Sequence, residues 1–244
     1  MIKNIIFDCW STLVKFKPKI ESWTYNPLIV HLLNKDEVDT TKLKDFISSF
    51  LDEYYKTDIK YEIDNKQFYQ LLIDMFNLKE DASVDLLKEE TLDNLEIECE
   101  NHVNDFLNLL SKNKINMAVA SNTMYSLEKT KEIIHSCINY NFDDVITSSM
   151  YGVRKPHQCF FDAVLNRLHY KKEETIYIGD SPIEDGYGPY NAGFKGSMLV
   201  LNSKKDINLI PDKKIFDDSN FIFKIYQNYD EVIADFNNIK EYFY

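Results

Sequence analysis

The chain has 244 residues, 44% hydrophobic, 28% charged and 14% aromatic, a balance that excludes a disordered tail and allows one large α/β domain or a core carrying an inserted one. With 40 acidic against 28 basic residues the formal charge is −12, so a nucleic acid would meet repulsion over most of the surface. A small phosphate ester stays admissible, because local Lys and backbone N–H groups together with a metal ion can reverse the potential inside one cleft.

The opening MIKNIIFDCW has a short apolar run stopped by Asp8, and no stretch approaches the roughly 20 apolar residues of a membrane span. A cytoplasmic protein without an anchor is expected. Cys9, Cys99, Cys137 and Cys159 are scattered, with no C-x-x-C pair and no His at zinc-finger spacing. Neither a disulfide framework nor a structural zinc site is suggested.

In chain order, KNIIFD reads as a buried strand running straight into Asp8. From about residue 26 to 98 the segments LIVHLLN, TKLKDFISSFLDEYY, KQFYQLLIDMF and VDLLKEETLDNL show i, i+3, i+4 apolar spacing, with no convincing strand among them. Thr40 or Thr41, Asp64 and Ser83 stand just before three of these helices as N-caps. An all-helical insertion after the first strand suggests a cap over an active edge; four ordinary helices packed on a sheet is the other reading. NMAVAS at 116–121, DVITSS at 144–149, TIYIGD at 175–180 and SMLVLN at 197–202 follow as strands. The helical stretches SLEKTKEIIHSCI and PHQCFFDAVLNRLH lie after the first two, and FIFKIYQN and DEVIADFNNI supply a last strand and a last helix. Strands alternating with helices predict a Rossmann-like parallel sheet covered on both faces. Ligands bind such sheets outside the carboxyl ends of the strands. Five of the six glycines fall between Gly179 and Gly196, which predicts a tight, ligand-facing turn there.

Four stretches stand at the ends of separate predicted strands: FDCWSTL with Asp8 and Thr12, ASNT with Ser121 and Asn122, GVRKP with Lys155, and GDSPIED with Asp180 and Asp185. In this order they resemble the four motifs of the haloacid dehalogenase (HAD) superfamily. Any one alone is weak, since D-x-x-x-T or S-N-T arises readily by chance. The resemblance implies a HAD-type core over 1–14 and 100–244 and a helical-bundle cap over 15–99. It implies that Asp8 is a carboxylate nucleophile, which splits a hard displacement into two easier ones. Thr12 belongs to the catalytic set, and Ser121, otherwise a candidate helix N-cap, hydrogen-bonds a phosphoryl oxygen. Lys155 neutralises Asp8 and the transferring group; Arg154 beside it is the cation it could be confused with. Pro156 falls near the start of the next helix, an arrangement expected to hold the lysine inward. Trp10, Ser121, Asn122 and Lys155 would line the substrate. A Mg²⁺ ion would be held by Asp8, the backbone carbonyl of Trp10, Asp180 and Asp185, the last preferred over Glu184.

The pattern is broken at one place. Family phosphatases carry a second aspartate two residues after the nucleophile, to protonate the leaving oxygen and then activate water. Here that residue is Trp10, and indole cannot transfer a proton at neutral pH. Three readings follow. The first is a Mg²⁺-dependent phosphatase for a small phosphorylated metabolite, an acyl or aryl phosphate needing little protonation or a substrate served by an acid from the cap. The second is a metal-independent 2-haloacid dehalogenase, which needs no such acid and places an aromatic residue at this position. Those enzymes use an arginine early in the cap, whereas no arginine precedes Arg154 here, and they lack the acidic pair after Gly179. The third is a catalytically weak or inactive binding or regulatory protein on the same fold. Specific substrate and oligomeric state are not read from the sequence.

Overall fold

The computed structural model describes residues 1–17, 39–54, 60–77, 97–202 and 220–239. Its strands are β1 (Asn4–Phe7), β2 (Val14–Phe16), β3 (Ile97–Cys99), β4 (Asn116–Ser121), β5 (Val145–Thr147), β6 (Thr175–Gly179), β7 (Gly196–Val200) and β8 (Ile222–Tyr226). Its helices are α1 (Thr40–Tyr54), α2 (Asn65–Phe76), α3 (Val103–Lys112), α4 (Leu127–Cys137), α5 (Gln158–Leu168), α6 (Gly188–Ala192) and α7 (Tyr229–Ile239). The predicted helices LIVHLLN and VDLLKEETLDNL, with the cap Ser83, lie outside the described residues.

Six strands form one sheet in the order β5-β4-β1-β6-β7-β8, and every pairing within it is parallel. Their apolar runs are nearly continuous because both faces are covered. Ile5, Phe7, Met117, Val119, Ile176 and Ile178 pack on one side with Phe106 and Leu110 of α3, Ile133 and Ile134 of α4, and Val232 and Phe236 of α7. Ile6, Ala120, Ile146 and Tyr177 point to the other side, where Phe160, Phe161 and Val164 of α5 meet them. This alternation is the period of two that a strand imposes.

The strand order also locates the crevice. From β1 the chain crosses to β4 on one side, whereas from β6 it crosses to β7 on the other, and β1 and β6 are neighbours with Phe7 opposite Ile178. Adjacent strands whose connections depart in opposite directions leave a gap at their carboxyl ends. Asp8 follows β1 and Asp180 follows β6, so both stand at that gap.

Two expectations about the insertion are corrected. The block is not wholly helical: β3, at its end, pairs antiparallel with β2, with Val14 opposite Cys99 and Phe16 opposite Ile97. Strands of three residues are too short for any periodicity to register. The cap of α1 is neither Thr40 nor Thr41, since Asp39 Oδ1 accepts from the Lys42 N–H at 3.2 Å. Asp64 does cap α2, in a reciprocal pair with Gln67, and Asn77 ends that helix in the left-handed region at φ 48°. Leu43 and Ile47 of α1 pack against Phe68, Tyr69 and Leu72 of α2, with Met124 alongside. Among the described residues no helix is long and apolar enough to cross a membrane.

Candidate active site

Asp8 is carried one residue beyond β1, where its N–H donates to the Ile178 carbonyl at 2.8 Å, so its backbone is still held by the sheet. Its side chain is buried. Oδ1 accepts from Ser121 Oγ at 2.9 Å and from Lys155 Nζ at 2.7 Å. Among the described residues no hydrogen bond falls on Oδ2. One oxygen is therefore tethered while the other is left for chemistry. Ser121, the last residue of β4, is not a helix cap; Ser126 caps α4, its Oγ accepting from the Lys129 N–H at 3.2 Å.

Lys155 is fully buried, and its three N–H donors all find partners: Asp8 Oδ1 at 2.7 Å, Asp185 Oδ1 at 2.6 Å and the Tyr177 hydroxyl at 2.9 Å. Burial opposes its charge, but Asp185 and then Asp8 outweigh that and hold the ammonium well above the ordinary lysine range. The Asn122 amide is engaged by the main chain of Lys155. It clamps the lysine's backbone from both sides, Oδ1 accepting from the Lys155 N–H at 2.8 Å and Nδ2 donating to its carbonyl at 3.1 Å. Pro156 stands near the start of α5 as expected, one residue before its cap His157, whose Nδ1 accepts from the Cys159 N–H at 3.1 Å.

Of the two adjacent cations, only Lys155 meets Asp8. Arg154 turns to Glu184 at 3.5 Å and lies over the Tyr54 ring at 4.8 Å from its centroid. Its backbone N–H donates to the Lys60 carbonyl, and the Glu62 N–H donates to Gly152, each at 3.0 Å. The segment at 60–62 thus docks main chain to main chain on the loop that carries the lysine. Glu62 also reaches Ser148 Oγ, whose oxygen accepts from the Thr123 N–H at 2.8 Å. Burial pushes the Glu62 carboxyl above its usual range, with Arg154 pulling the other way.

The GDSPIED stretch forms a π-helical turn over Pro182–Tyr187, which brings Asp185 back under Asp180. Asp185 Oδ2 accepts from the Asp180 and Ser181 N–H groups at 3.1 and 3.0 Å, and the Ser197 hydroxyl donates to its carbonyl. Burial pushes its carboxyl up to about 7, Asp8 and Glu184 add to this, and Lys155 opposes. Asp8, Asp180 and Asp185 each offer an oxygen within 4.8 Å of the others, all buried. Three carboxylates against one ammonium leave an excess of negative charge and a set of hard oxygen donors, which suits a divalent cation such as Mg²⁺.

The remaining expected residues sit around this centre. Thr12 is fully buried, and its Oγ1 has no hydrogen-bond partner among the described residues. Trp10 is partly buried and stacks on Phe16, with ring centroids 4.6 Å apart and planes at 19°; Tyr125 is 5.8 Å away. Tyr177, not singled out from sequence, holds Lys155 and donates its hydroxyl proton to the Ala120 carbonyl. A tyrosine in an otherwise aliphatic strand, on a face whose hydroxyl needs a partner, was the signal available. Gly179 is required because a Cβ there would overlap the Asp185 carboxyl. Gly179→Ala is expected to displace that carboxylate and lower activity by more than about tenfold, with a smaller loss of melting temperature; wild-type turnover in this variant rules the packing argument out.

The chain matches the family model for haloacid dehalogenase-like hydrolases over residues 5–198. It is 42% identical over 82 residues to a glyceraldehyde 3-phosphate phosphatase of Methanocaldococcus jannaschii, covering 34% of this chain and 36% of that one. It thus spans little more than a third of the length of the curated relatives it matches. A HAD phosphatase from Thermococcus onnurineus superposes with a TM-score of 0.60 at 19% identity, covering 96% of this chain and 97% of that one. A 2-haloacid dehalogenase from Pseudomonas syringae pv. Tomato gives 0.58 at 19% identity over 97% and 100%. At such identity these two establish the fold alone. The family match runs from within β1 to within β7 and takes in every strand end that contributes to the crevice, and the chain therefore belongs to the haloacid dehalogenase-like hydrolases.

Proposed function

We propose that the chain is a Mg²⁺-dependent phosphatase for a small phosphorylated metabolite, working through a phosphoaspartate on Asp8. The observation that carries this reading is the tethering of Asp8 through Oδ1 alone, beside two further buried carboxylates. In the first step an Asp8 oxygen forms a bond to phosphorus as the ester oxygen departs. Water then attacks the same phosphorus, returning the carboxylate and releasing inorganic phosphate. Lys155 and Ser121 hold the nucleophile, and the positive charge of the ammonium offsets the charge that builds on the phosphoryl oxygens. Bound at Asp8, Asp180 and the Trp10 carbonyl, Mg²⁺ would supply Lewis-acid charge neutralisation. Asp185, whose oxygens already accept from the lysine and two loop amides, would orient that set from behind.

Helices α1 and α2 belong on this reading to a cap formed by residues 15–99, above a core of 1–14 and 100–244. The name of the matched relative, a glyceraldehyde 3-phosphate phosphatase, directs the substrate to a short phosphorylated aldehyde. With Trp10 in place of an acid, a leaving alkoxide lacks its usual proton donor, whereas an acyl or aryl phosphate does not need one.

Phosphate release from acetyl phosphate, an aryl phosphate and glyceraldehyde 3-phosphate, with and without Mg²⁺, tests the proposal. Turnover is expected only with the metal, and fastest for the ester with the most acidic leaving group. Halide release from a 2-haloacid without metal, or no turnover of any phosphate, would replace it. Saturating Mg²⁺ should also raise the melting temperature, since a ligand at about 100 times its Kd adds about 2.7 kcal/mol of stability. Asp180→Asn should lose most of that increment and weaken the calorimetric affinity; an unchanged affinity removes Asp180 from the ligand set.

A further inference from the structure

A pair of thiols takes no part in the hydrolytic chemistry. Cys99 is the last residue of β3 and Cys137 the last of α4, and α4 packs along β3. Cys99 Sγ donates to the Cys137 carbonyl at 2.8 Å, which seats the first thiol against the backbone of the second cysteine. Asn104 Nδ2 donates to the same carbonyl at 3.2 Å and lies 3.7 Å from Cys99 Sγ, which fixes the pair against α3. Both cysteines are half-buried, so a small oxidant can reach them while their surroundings hold them together. Cys9 is fully buried, and Cys159 is exposed on α5.

We propose that Cys99 and Cys137 are an oxidative modification site, closing to a reversible intrachain disulfide when the protein meets a peroxide. The proximity of the two lowers the Cys137 thiol and raises that of Cys99, which makes Cys137 the attacking thiolate. In the first step the Cys137 sulfur bonds to one peroxide oxygen, the O–O bond breaks, and the departing hydroxide takes a proton to become water. Cys99 sulfur then attacks the sulfenic sulfur, the S–S bond forms and the S–O bond breaks. The second hydroxide leaves as water with the Cys99 proton. Two thiols and one hydrogen peroxide thus give one disulfide and two waters, with two electrons passing from sulfur to oxygen.

The link would fasten the point where the chain returns from the insertion. Cys99 faces Val14 across the β2–β3 ribbon, and the Glu100 N–H donates to the Leu13 carbonyl at 2.9 Å, at the end of the loop that begins at Asp8.

The full chain treated with a small excess of hydrogen peroxide is the test. Thiols titrated in denaturant should fall from four to two, with an intact mass lower by two hydrogens. A non-reducing peptide map should join Cys99 to Cys137, amide exchange over 97–101 should slow, and dithiothreitol should reverse all of it. In Cys99→Ser, a sulfenic acid at Cys137 should be trapped by dimedone. A map that joins Cys9 or Cys159 instead, or peroxide that leaves Cys99 and Cys137 as thiols, overturns the proposal. The map uses the unaltered protein, so a variant that fails to fold does not shield it.

Discussion

Asp8→Asn is expected to abolish phosphate release, by on the order of 10⁴–10⁶-fold in kcat, the scale on which deletion of a covalent nucleophile is felt. The amide is nearly isosteric, and its oxygen can still accept from Ser121 and Lys155 where Oδ1 does now. The variant should therefore keep its far-UV spectrum and melt close to the wild type. Loss of activity with retained fold points to the missing anionic oxygen and not to collapse of the crevice. A variant that keeps more than about a hundredth of wild-type kcat, against the loss expected when a nucleophile is removed, would show that the bond to phosphorus is made elsewhere. Single-turnover assays with a phosphorus label add an independent check: label should appear on the protein in the wild type and be absent from the variant.

The second large effect is expected at Lys155, where stability and activity should fall together. Lys155→Met keeps the length of the side chain but removes the ammonium that bridges Asp8 and Asp185. Breaking a buried ion pair by deleting one partner costs about 3–5 kcal/mol, because the other charge is left uncompensated. Here two carboxylates lose their partner, which places the expectation at the upper end of that range, measured by urea denaturation in metal-free buffer. The loss should shrink as pH falls. The Asp185 carboxyl already sits at about 7 with the lysine present, and removing the cation raises it further. A carboxyl whose folded value lies above its unfolded value of about 3.9 favours the folded state at low pH and gives up that advantage as pH rises through the folded value. The variant should therefore be most nearly normal near pH 5 and most damaged above pH 7. An equal deficit at both would remove the carboxylate repulsion from the account.

Much of the core could be read from the chain because its rules are local. IIF, MAVA and IYI are apolar at successive positions, and only strands covered on both faces tolerate that. A parallel sheet then sends every carboxyl end to one rim, so Asp8, Ser121 and Asp180, each at or just past a strand, were bound to approach one another once the strands were recognised. Features set by distant contacts were not legible. Asn122 grips the Lys155 backbone across 33 residues, and Glu62 meets Ser148 across 86. Neither contact leaves a mark on its own neighbourhood. The cap of α1 falls at Asp39, just before the expected Thr40 or Thr41, because all three have the short polar side chain a cap requires. Which of them serves depends on where the first turn winds, and tertiary packing decides that.

The β2–β3 ribbon has a consequence for how this molecule could be rebuilt. Phe16 and Ile97 face each other, so the two ends of the insertion stand side by side at a single doorway. A foreign segment with adjoining ends could be transplanted there as a cassette, leaving the acids, the serine and the lysine in register. The graft would have to replace the backbone partners that Gly152, Arg154 and Met124 now find in Glu62, Lys60 and Asn65, and the side-chain contacts of Ser148 with Glu62 and of Arg154 with Tyr54.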